Sequence, residues 1–134
     1  MIHLPDTNAY SRYFRGDDAT LTARFARHWP TIALSVIVLA ELEFGAQKSG
    51  VPAHRQRVDA LVLGVAVIEP WTESDASAYG RIRADLERRG IVVGAHDMQV
   101  AAQAIRLGAT CVTHNQRHFS QIPGLKLADW QTLQ

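Results

Sequence analysis

The chain has 134 residues, of which 47% are hydrophobic and 20% are charged, and its formal net charge is +1. These values are typical of one globular domain that is large enough to bury a core. The only cysteine, Cys111, excludes an internal disulfide, and the most apolar segment, residues 32–40, is much shorter than the roughly 20 residues that span a bilayer.

The N-terminal residues contain neither a basic region nor a long apolar stretch, so we expect no secretory signal, no membrane contact and a cytoplasmic protein. The net charge says little about partners. Twelve of the 14 positive residues are arginine, which suits phosphate contact and stacking on bases. A general coding preference for arginine explains this composition equally well.

Short β-branched runs alternate with amphipathic stretches along the chain, and there is no internal repeat or linker. The predicted strands are MIHL (1–4), TIALS (31–35), VAVIE (65–69), ATCVTH (109–114) and LKLA (125–128). A helix is expected directly after Asp6, and further helices are predicted over 36–48, 53–63, 73–89 and 97–107. Ser35 is a favourable N-cap, and Gly90 and Gly108 are natural helix stops.

This alternation predicts an α/β fold, a three-layer α/β/α sandwich with a mainly parallel central sheet, in one domain that spans residues 1–134. Right-handed crossovers then place helices on both faces of the sheet. In such folds the functional crevice lies outside the carboxyl ends of the strands. Polar residues that follow the strands are therefore the candidates for a site.

Four oxygen-bearing side chains fall near this edge. Asp6 directly follows the first strand, and Glu41 lies in the second turn of the helix after the second strand. Asp97 begins the helix that leads into the fourth strand, and Asn115 follows that strand. Carboxylate and amide oxygens suit hard divalent cations such as Mg²⁺ or Mn²⁺. The pattern predicts a metal site at this edge.

Each of these residues also has a simpler interpretation. Asp6 and Asp97 are good helix N-caps, and Glu41 fits an exposed helix position. Glu43 is two residues further on and points to nearly the opposite side of the helix, so one of the two glutamates is expected to face the sheet edge. All these alternatives remain open at the level of sequence.

A zinc site is the main competing metal interpretation. Cys111, His114 and His118 are spaced like part of such a site. However, Cys111 and His114 are three apart on a predicted strand and face opposite sides of it. We therefore interpret Cys111 as a small buried side chain.

Several motifs together resemble one known family. They are DTN after the first strand, SVIVLAELEFGAQKS, VGAHDMQVAAQAIRLGATCVTHNQRHFSQIPGL and the closing LADW. In order and spacing they resemble PIN-domain ribonucleases, and more narrowly the VapC toxins of bacterial toxin–antitoxin pairs. The resemblance implies a Mg²⁺-dependent endoribonuclease, with Mn²⁺ as a substitute, that cuts structured RNA such as tRNA.

The resemblance also assigns roles to particular residues. Asp6, Glu41 and Asp97 match the family's metal-binding acids, and Thr113 matches a hydroxyl that supports the first acid. The chain departs from the family pattern in THNQRHF, where Asn115 takes an aspartate place and His118 stands where another acid is often found. These two positions, and Pro5 at the end of a central strand, are the unusual features of the site.

The implied partners are RNA, a small VapB-like antitoxin with a disordered tail, and a second copy of the chain in a homodimer. Arg12, Arg15 and Arg117 are candidate phosphate contacts, although each also fits a solvated surface arginine. The FARHW segment (25–29) and the helix at 36–48 are candidate antitoxin contacts.

Two other functions compete with a ribonuclease. A catalytically weak or inactive RNA-binding module of the same fold is favoured only by Asn115. A phosphoacceptor domain would need a second acid beside the first-strand acid and an aspartate after the central strand. The third strand ends instead in IEPW, so this function is disfavoured.

Overall fold

A parallel sheet of short strands forms the centre of the computed structural model, which describes residues 1–131. Three strands form one ladder in the order β1-β4-β5 and two form a second, β2-β3, and an isolated parallel bridge between His3 and Ile32 joins them. The strand bounds are His3–Pro5 (β1), Ala33–Ser35 (β2), Val67–Glu69 (β3), Thr110–Val112 (β4) and Lys126–Ala128 (β5).

Helices connect the strands and cover the sheet. The bounds are Thr7–Arg15 (α1), Ala19–His28 (α2), Val36–Ser49 (α3), Pro52–Gly64 (α4), Glu73–Arg88 (α5), Ala95–Leu107 (α6) and Gln116–Phe119 (α7), with a 3₁₀ turn at Trp29–Thr31. Helix α3 packs against α1, α4 and α6, and α5 packs against α6. The predicted α/β/α class is confirmed. No helix within residues 1–131 is long and apolar enough to cross a membrane.

Local chemistry sets the helix ends that matter for the site. The Ser35 hydroxyl accepts a hydrogen bond from Ile37 N, so the predicted N-cap of α3 is confirmed. Helix α6 begins at Ala95 with Gly94 as its N-cap. Asp97 therefore lies in the first turn of α6, and the alternative of an N-cap role for Asp97 is wrong.

Pro5 lies inside β1, which runs one residue further than predicted and pairs Pro5 with Val112 of β4. Asp6 N donates to Val112 O at 2.9 Å, and Thr110 N donates to Ile2 O at the same distance. Because bonding sides alternate along a strand, the ring nitrogen of Pro5 faces away from β4 and towards β2. The missing donor therefore falls on the side where, among the described residues, β1 has only the His3–Ile32 bridge.

Strand β3 is shorter than predicted at its start. Val65 N donates to Leu61 O at 3.0 Å, so the first residue of the predicted strand is the C-cap of α4, and β3 begins at Val67. Strand β4 ends at Val112, although Thr113 N still donates to Ala128 O. The chain then turns at His114, which points outward and pairs with Asp129 at 2.9 Å.

The segment at 25–29, which we named as a candidate antitoxin contact, is not a continuous exposed apolar surface. Phe25 is fully buried and stacks on Tyr13 with ring centroids 4.3 Å apart. His28 stacks on Trp130, and Trp29 donates its ring N–H to Gly64 O at 3.2 Å. Phe25 and His28 thus pack onto their own domain, and half-buried Trp29 is fixed against α4 by its hydrogen bond.

Candidate active site

Asp6 stands where β1 meets α1, and only 5% of its surface is exposed. Its Oδ1 accepts a hydrogen bond from Ala9 N at 2.8 Å, so it is the N-cap of α1, and this simpler interpretation is confirmed. Burial raises the pKa of the Asp6 carboxyl above its usual value. Hydrogen bonds from the Thr113 hydroxyl and Ala9 N oppose the rise, and the charges of Asp97 and Glu41 add to it.

Glu41 projects from the second turn of α3 and is held by groups from two other helices. The Thr7 hydroxyl, at the start of α1, donates to Glu41 Oε1 at 2.7 Å. His96 Nδ1, at the start of α6, lies 3.1 Å from Glu41 Oε2. The sequence reasoning missed both Thr7 and His96, although each directly follows or precedes a predicted acid.

Asp97 is half-buried in the first turn of α6. Burial raises the pKa of its carboxyl, and the charge of Glu41 raises it further, whereas His118 and His96 lower it. A carboxylate in the first turn also favours the positive end of a helix dipole. The charge of Glu41 acts on both Asp6 and Asp97, and the charge of Asp97 acts on Asp6, so the three carboxylates lie near one another, as the strand positions predicted.

Thr113 links the first acid to the departure from the family pattern. Its side chain is 1% exposed, bonds to Asp6, and accepts a hydrogen bond from Asn115 N at 3.0 Å. The Asn115 side-chain amide lies 2.9 Å from His118 Nδ1. Asn115 and His118 therefore form a pair on the rim of the site.

The three carboxylates provide suitable donors for a hard cation. Burial and mutual repulsion raise the pKa values of Asp6 and Asp97, and a divalent cation would relieve both costs. Within residues 1–131, however, no group of three or more His, Cys, Asp or Glu side chains is already placed around one ion position. The donor chemistry fits a metal, and the carboxylates would have to move closer to share one.

Two clefts meet at Glu41. The first has a volume of about 370 Å³ and lies between Glu41 and residues 94–97, including His96 and Asp97. The second, which we call the helical cleft, also has a volume of about 370 Å³ and lies between α1, α3 and α4. Thr7, Arg15 and Glu41 are among its lining residues.

The three predicted phosphate contacts differ in their surroundings. Arg12 Nε lies 3.0 Å from Asp17 Oδ1, so its charge is already paired. Arg15 is exposed and lines the helical cleft, and Arg117 is exposed on α7, beside Asn115. Arg15 therefore lines a cleft that includes Glu41, one of the predicted metal-binding acids.

The zinc alternative is not supported by the geometry. Cys111 is fully buried in β4, as predicted, while His114 is exposed and paired with Asp129.

Glu43, the second glutamate on α3, accepts hydrogen bonds at both carboxylate oxygens from the Arg55 guanidinium of α4, at 2.6 and 2.9 Å. Of the two glutamates on α3, Glu41 is thus the one that faces the acid site.

Comparison with known proteins identifies the class of protein that this fold and site define. The family profile described as "PIN domain" matches residues 4–125. The chain belongs to the PIN domain family.

The relatives agree with the narrower resemblance to VapC ribonucleases, which is confirmed. "Ribonuclease VapC2" of Rickettsia felis is 34% identical over 97% of this chain and 98% of the relative. "tRNA(fMet)-specific endonuclease VapC" of Salmonella typhimurium is 33% identical over 93% of this chain and 95% of the relative.

Solved structures give the same picture. The crystal structure of VapBC2 from Rickettsia felis bound to a DNA fragment from its promoter matches with a TM-score of 0.89 and 30% identity, over 98% of this chain and 100% of the other. The DNA-bound VapBC structure from Salmonella typhimurium matches with a TM-score of 0.86 and 30% identity, over 97% and 98%.

Proposed function

We propose that this chain is a Mg²⁺-dependent endoribonuclease, the toxin of a type II toxin–antitoxin pair, which hydrolyses phosphodiester bonds in structured RNA such as tRNA. The main support for the proposal is that the Asp6, Glu41 and Asp97 carboxylates lie near one another at the carboxyl edge of a PIN-family sheet. The names of the relatives, ribonuclease and tRNA(fMet)-specific endonuclease, support the reaction and the substrate class.

Asp6, Asp97 and Glu41 would hold the cation, with Mn²⁺ able to replace Mg²⁺. Bound there, the metal would lower the pKa of a water molecule and neutralise charge on the phosphoryl oxygens. The chain's own residues orient the reaction. Glu41, fixed by Thr7, orients or deprotonates the attacking water, and Thr113 holds the Asp6 carboxylate in place.

RNA would be held by cations around this edge. Arg15 and Arg117 are exposed and are the better placed of the predicted contacts, whereas Arg12 would have to leave Asp17. A splayed loop is a more accessible substrate than a closed duplex, because its bases are not stacked within a helix.

Incubation of the purified protein with total RNA tests the function. We expect cleavage with Mg²⁺, loss of cleavage with EDTA, and a defined set of cut ends when they are mapped. The Asp97→Asn protein is the matched control, because it changes one oxygen of one carboxylate to a nitrogen. Equal cutting by this variant would identify a contaminating nuclease or remove Asp97 from the site.

The competing function is a catalytically weak or inactive RNA-binding module. Two observations favour it: Asn115 is neutral, and the described residues contain no preassembled group of metal ligands. RNA binding without Mg²⁺-dependent cleavage in the same assay would establish this alternative.

A VapB-like antitoxin and a second copy of the chain are the proposed protein partners, because the similar solved structures include VapBC complexes. The antitoxin tail would fold onto the toxin and direct a basic residue towards the acids. Because Phe25 of the 25–29 segment is buried, we favour α3 as the antitoxin contact, where Val36, Ala40 and Phe44 form an exposed stripe and Phe44 is 65% exposed.

Expression with and without the neighbouring antitoxin gene tests this part of the proposal. We expect growth arrest when the chain is expressed alone, rescue by the antitoxin, and co-purification of both proteins as a complex larger than one toxin with one antitoxin. A monomer that is produced alone without growth arrest would contradict it.

A further inference from the structure

We propose that two adjoining clefts form a track for a single-stranded segment of RNA beside the cut site, with Phe14 and Arg57 at its centre. This inference rests on the proposed ribonuclease function. It adds the place where the RNA next to the reacting phosphate is held, and it assigns that role to residues that the sequence reasoning did not single out.

The track begins at the acids. The helical cleft includes Glu41 and Thr7 at one end, and Phe14 and Arg57 also line it. A further cleft of about 290 Å³, the aromatic cleft, lies beyond it and includes Tyr13, Phe14, Trp29, Arg57, Ala60 and Leu61. Because both clefts share Phe14 and Arg57, they form one continuous surface that leads away from Glu41.

The arginine side chains of the track are free to bind a ligand, whereas the nearby arginines on the same helices are paired with acids. On α4, Arg55 bonds Glu43 and Asp59, whereas the exposed side chain of Arg57, two residues further on, has no ion pair or hydrogen bond to any residue in 1–131. On α1, Arg12 is paired with Asp17, whereas exposed Arg15 has no such partner in the same range. Unpaired guanidinium groups in a cleft are suited to phosphate oxygens.

The aromatic rings of the track are held in fixed positions. Trp29 is anchored by its hydrogen bond to Gly64 O at 3.2 Å. A Cβ atom at position 64 would lie 3.3 Å from the Trp29 ring, so glycine permits the ring's close approach to α4. Phe14 is half-buried against Tyr10 and Tyr13 and borders both clefts. Aromatic faces interleaved with cations are the features that bind single-stranded nucleic acid.

The position and the positive charge of the track suit an RNA strand. A strand whose phosphate lies at the acids would enter the helical cleft directly, because Glu41 lines both that cleft and the one beside Asp97. The positive charges of Arg15 and Arg57 then follow beyond Glu41. The exposed stripe of Val36, Ala40 and Phe44 lies on another face of α3 and remains free for a protein partner.

Binding of a short fluorescein-labelled single-stranded RNA tests the track. The protein carries Asp97→Asn to prevent cleavage, and affinity is measured by fluorescence anisotropy at several salt concentrations. Added Arg57→Ala should weaken binding and reduce the slope of log affinity against log salt by about 0.7, the value for one phosphate on a single strand. Added Phe14→Leu should weaken binding about 5- to 150-fold, the range that corresponds to loss of one stacked base.

Matched controls lie outside the track. Arg88→Ala removes an exposed arginine from α5, and Phe44→Leu removes an exposed phenylalanine from the other face of α3. Both should bind RNA like the parent. Thermal melting of every variant verifies folding, and Phe14→Leu retains an apolar side chain at that position.

Two results would overturn the track. One is that Arg57→Ala and Phe14→Leu bind RNA with the parent's affinity and salt slope. The other is that these variants bind RNA like the parent but no longer bind the antitoxin, which would assign the clefts to a protein segment. Failure of the wild-type protein to cut RNA, with RNA binding still dependent on Arg57, would instead refute the proposed nuclease and retain the track.

Discussion

At the scale of single residues, Asp6 combines a structural and a chemical role. Its carboxylate caps α1 through Ala9 N, and it also lies among the acids that would bind the cation. Asparagine caps helices about as well as aspartate, so the two roles can be separated by substitution.

We expect Asp6→Asn to fold normally and to lose cleavage by orders of magnitude, because metal stabilisation contributes several kcal/mol and each ~1.4 kcal/mol is tenfold in rate. Asp6→Ala should lose the same activity and in addition about 1 kcal/mol of unfolding free energy, because the cap is gone. Urea unfolding and cleavage assays on both variants measure the two effects. Equal stabilities would show that the cap contributes nothing, and an active Asp6→Asn protein would remove Asp6 from the metal site.

The Asn115–His118 pair is the second question at this scale. Asn115→Asp restores the charge that the family usually has at this place, and it should lower the Mg²⁺ concentration needed for half-maximal cleavage. His118→Ala should have a much smaller effect, because the ring contacts the amide of Asn115 on the rim. We also expect the wild-type protein to bind Mg²⁺ weakly, because neutral Asn115 removes one negative charge, and to work better with Mn²⁺ than with Mg²⁺.

Titrations of cleavage rate with Mg²⁺ and with Mn²⁺ for the three proteins decide these roles. If Asn115→Asp leaves the metal requirement unchanged while His118→Ala abolishes activity, the histidine is the fourth functional group and our assignment is reversed.

At the scale of elements, the positions of the acids could be predicted from the order of strands and helices along the chain. The hydrogen bonds that hold their side chains could not. Asp6, Glu41 and Asp97 could be placed at one edge because periodicity fixes which residues end each strand or begin each helix. The Thr7–Glu41 bond joins side chains 34 residues apart and depends on how closely α1 approaches α3. Such a distance between two helices is set by packing, which no local pattern contains.

The errors at this scale have the same origin. The sequence identifies the apolar residues of the 25–29 segment, but the orientation of their side chains depends on how α2 packs. Helix α2 packs so that the Phe25 side chain enters the core. Helix α6 begins two residues before Asp97 because Gly94 serves as its N-cap without a side chain. From sequence alone, Asp97 is a better N-cap candidate than Gly94, because its side chain can accept a backbone hydrogen bond.

The link between α1 and α3 gives a prediction at this scale. Thr7→Val removes the hydroxyl that donates to Glu41, and hydrogen bonds to charged groups contribute about 1.5–3 kcal/mol. We expect cleavage to fall at least tenfold and Mg²⁺ binding, measured by calorimetry, to weaken. Thr7→Ser retains the donor and should restore both properties. Valine and serine variants with equal Mg²⁺ affinity would show that the bond does not position Glu41.

At the scale of the whole molecule, the acid site costs stability in the absence of a cation. The pKa values of Asp6 and Asp97 are raised in the folded protein, so the folded state binds protons more tightly than the unfolded state. Their contribution to stability is therefore fully present below the ordinary aspartate pKa of 3.8, and it is lost as the pH rises through the higher folded-state values.

We accordingly expect Asp97→Asn to unfold at a higher temperature than the wild-type protein at neutral pH without metal, and the difference to shrink in acid. Mg²⁺ should raise the melting temperature of the wild-type protein and have much less effect on the variant. Differential scanning calorimetry across pH, with EDTA or Mg²⁺, measures both. A variant that is less stable than the wild type at neutral pH would mean that Asp97 contributes to the fold through contacts and not only to the site.

The break between the two ladders of the sheet affects where the protein unfolds locally. Within residues 1–131, the backbone bridge between His3 and Ile32 is the only pairing between β1 and β2, and Pro5 offers no N–H to extend it. Glu41 follows β2, whereas Asp6 and Thr113 follow β1 and β4. The acids are thus carried on two sides of a weakly joined boundary, where partial unfolding requires the loss of few hydrogen bonds. Amide hydrogen exchange should be faster along this boundary than at Leu4 or Cys111, and a bound cation, which fastens both sides, should slow it.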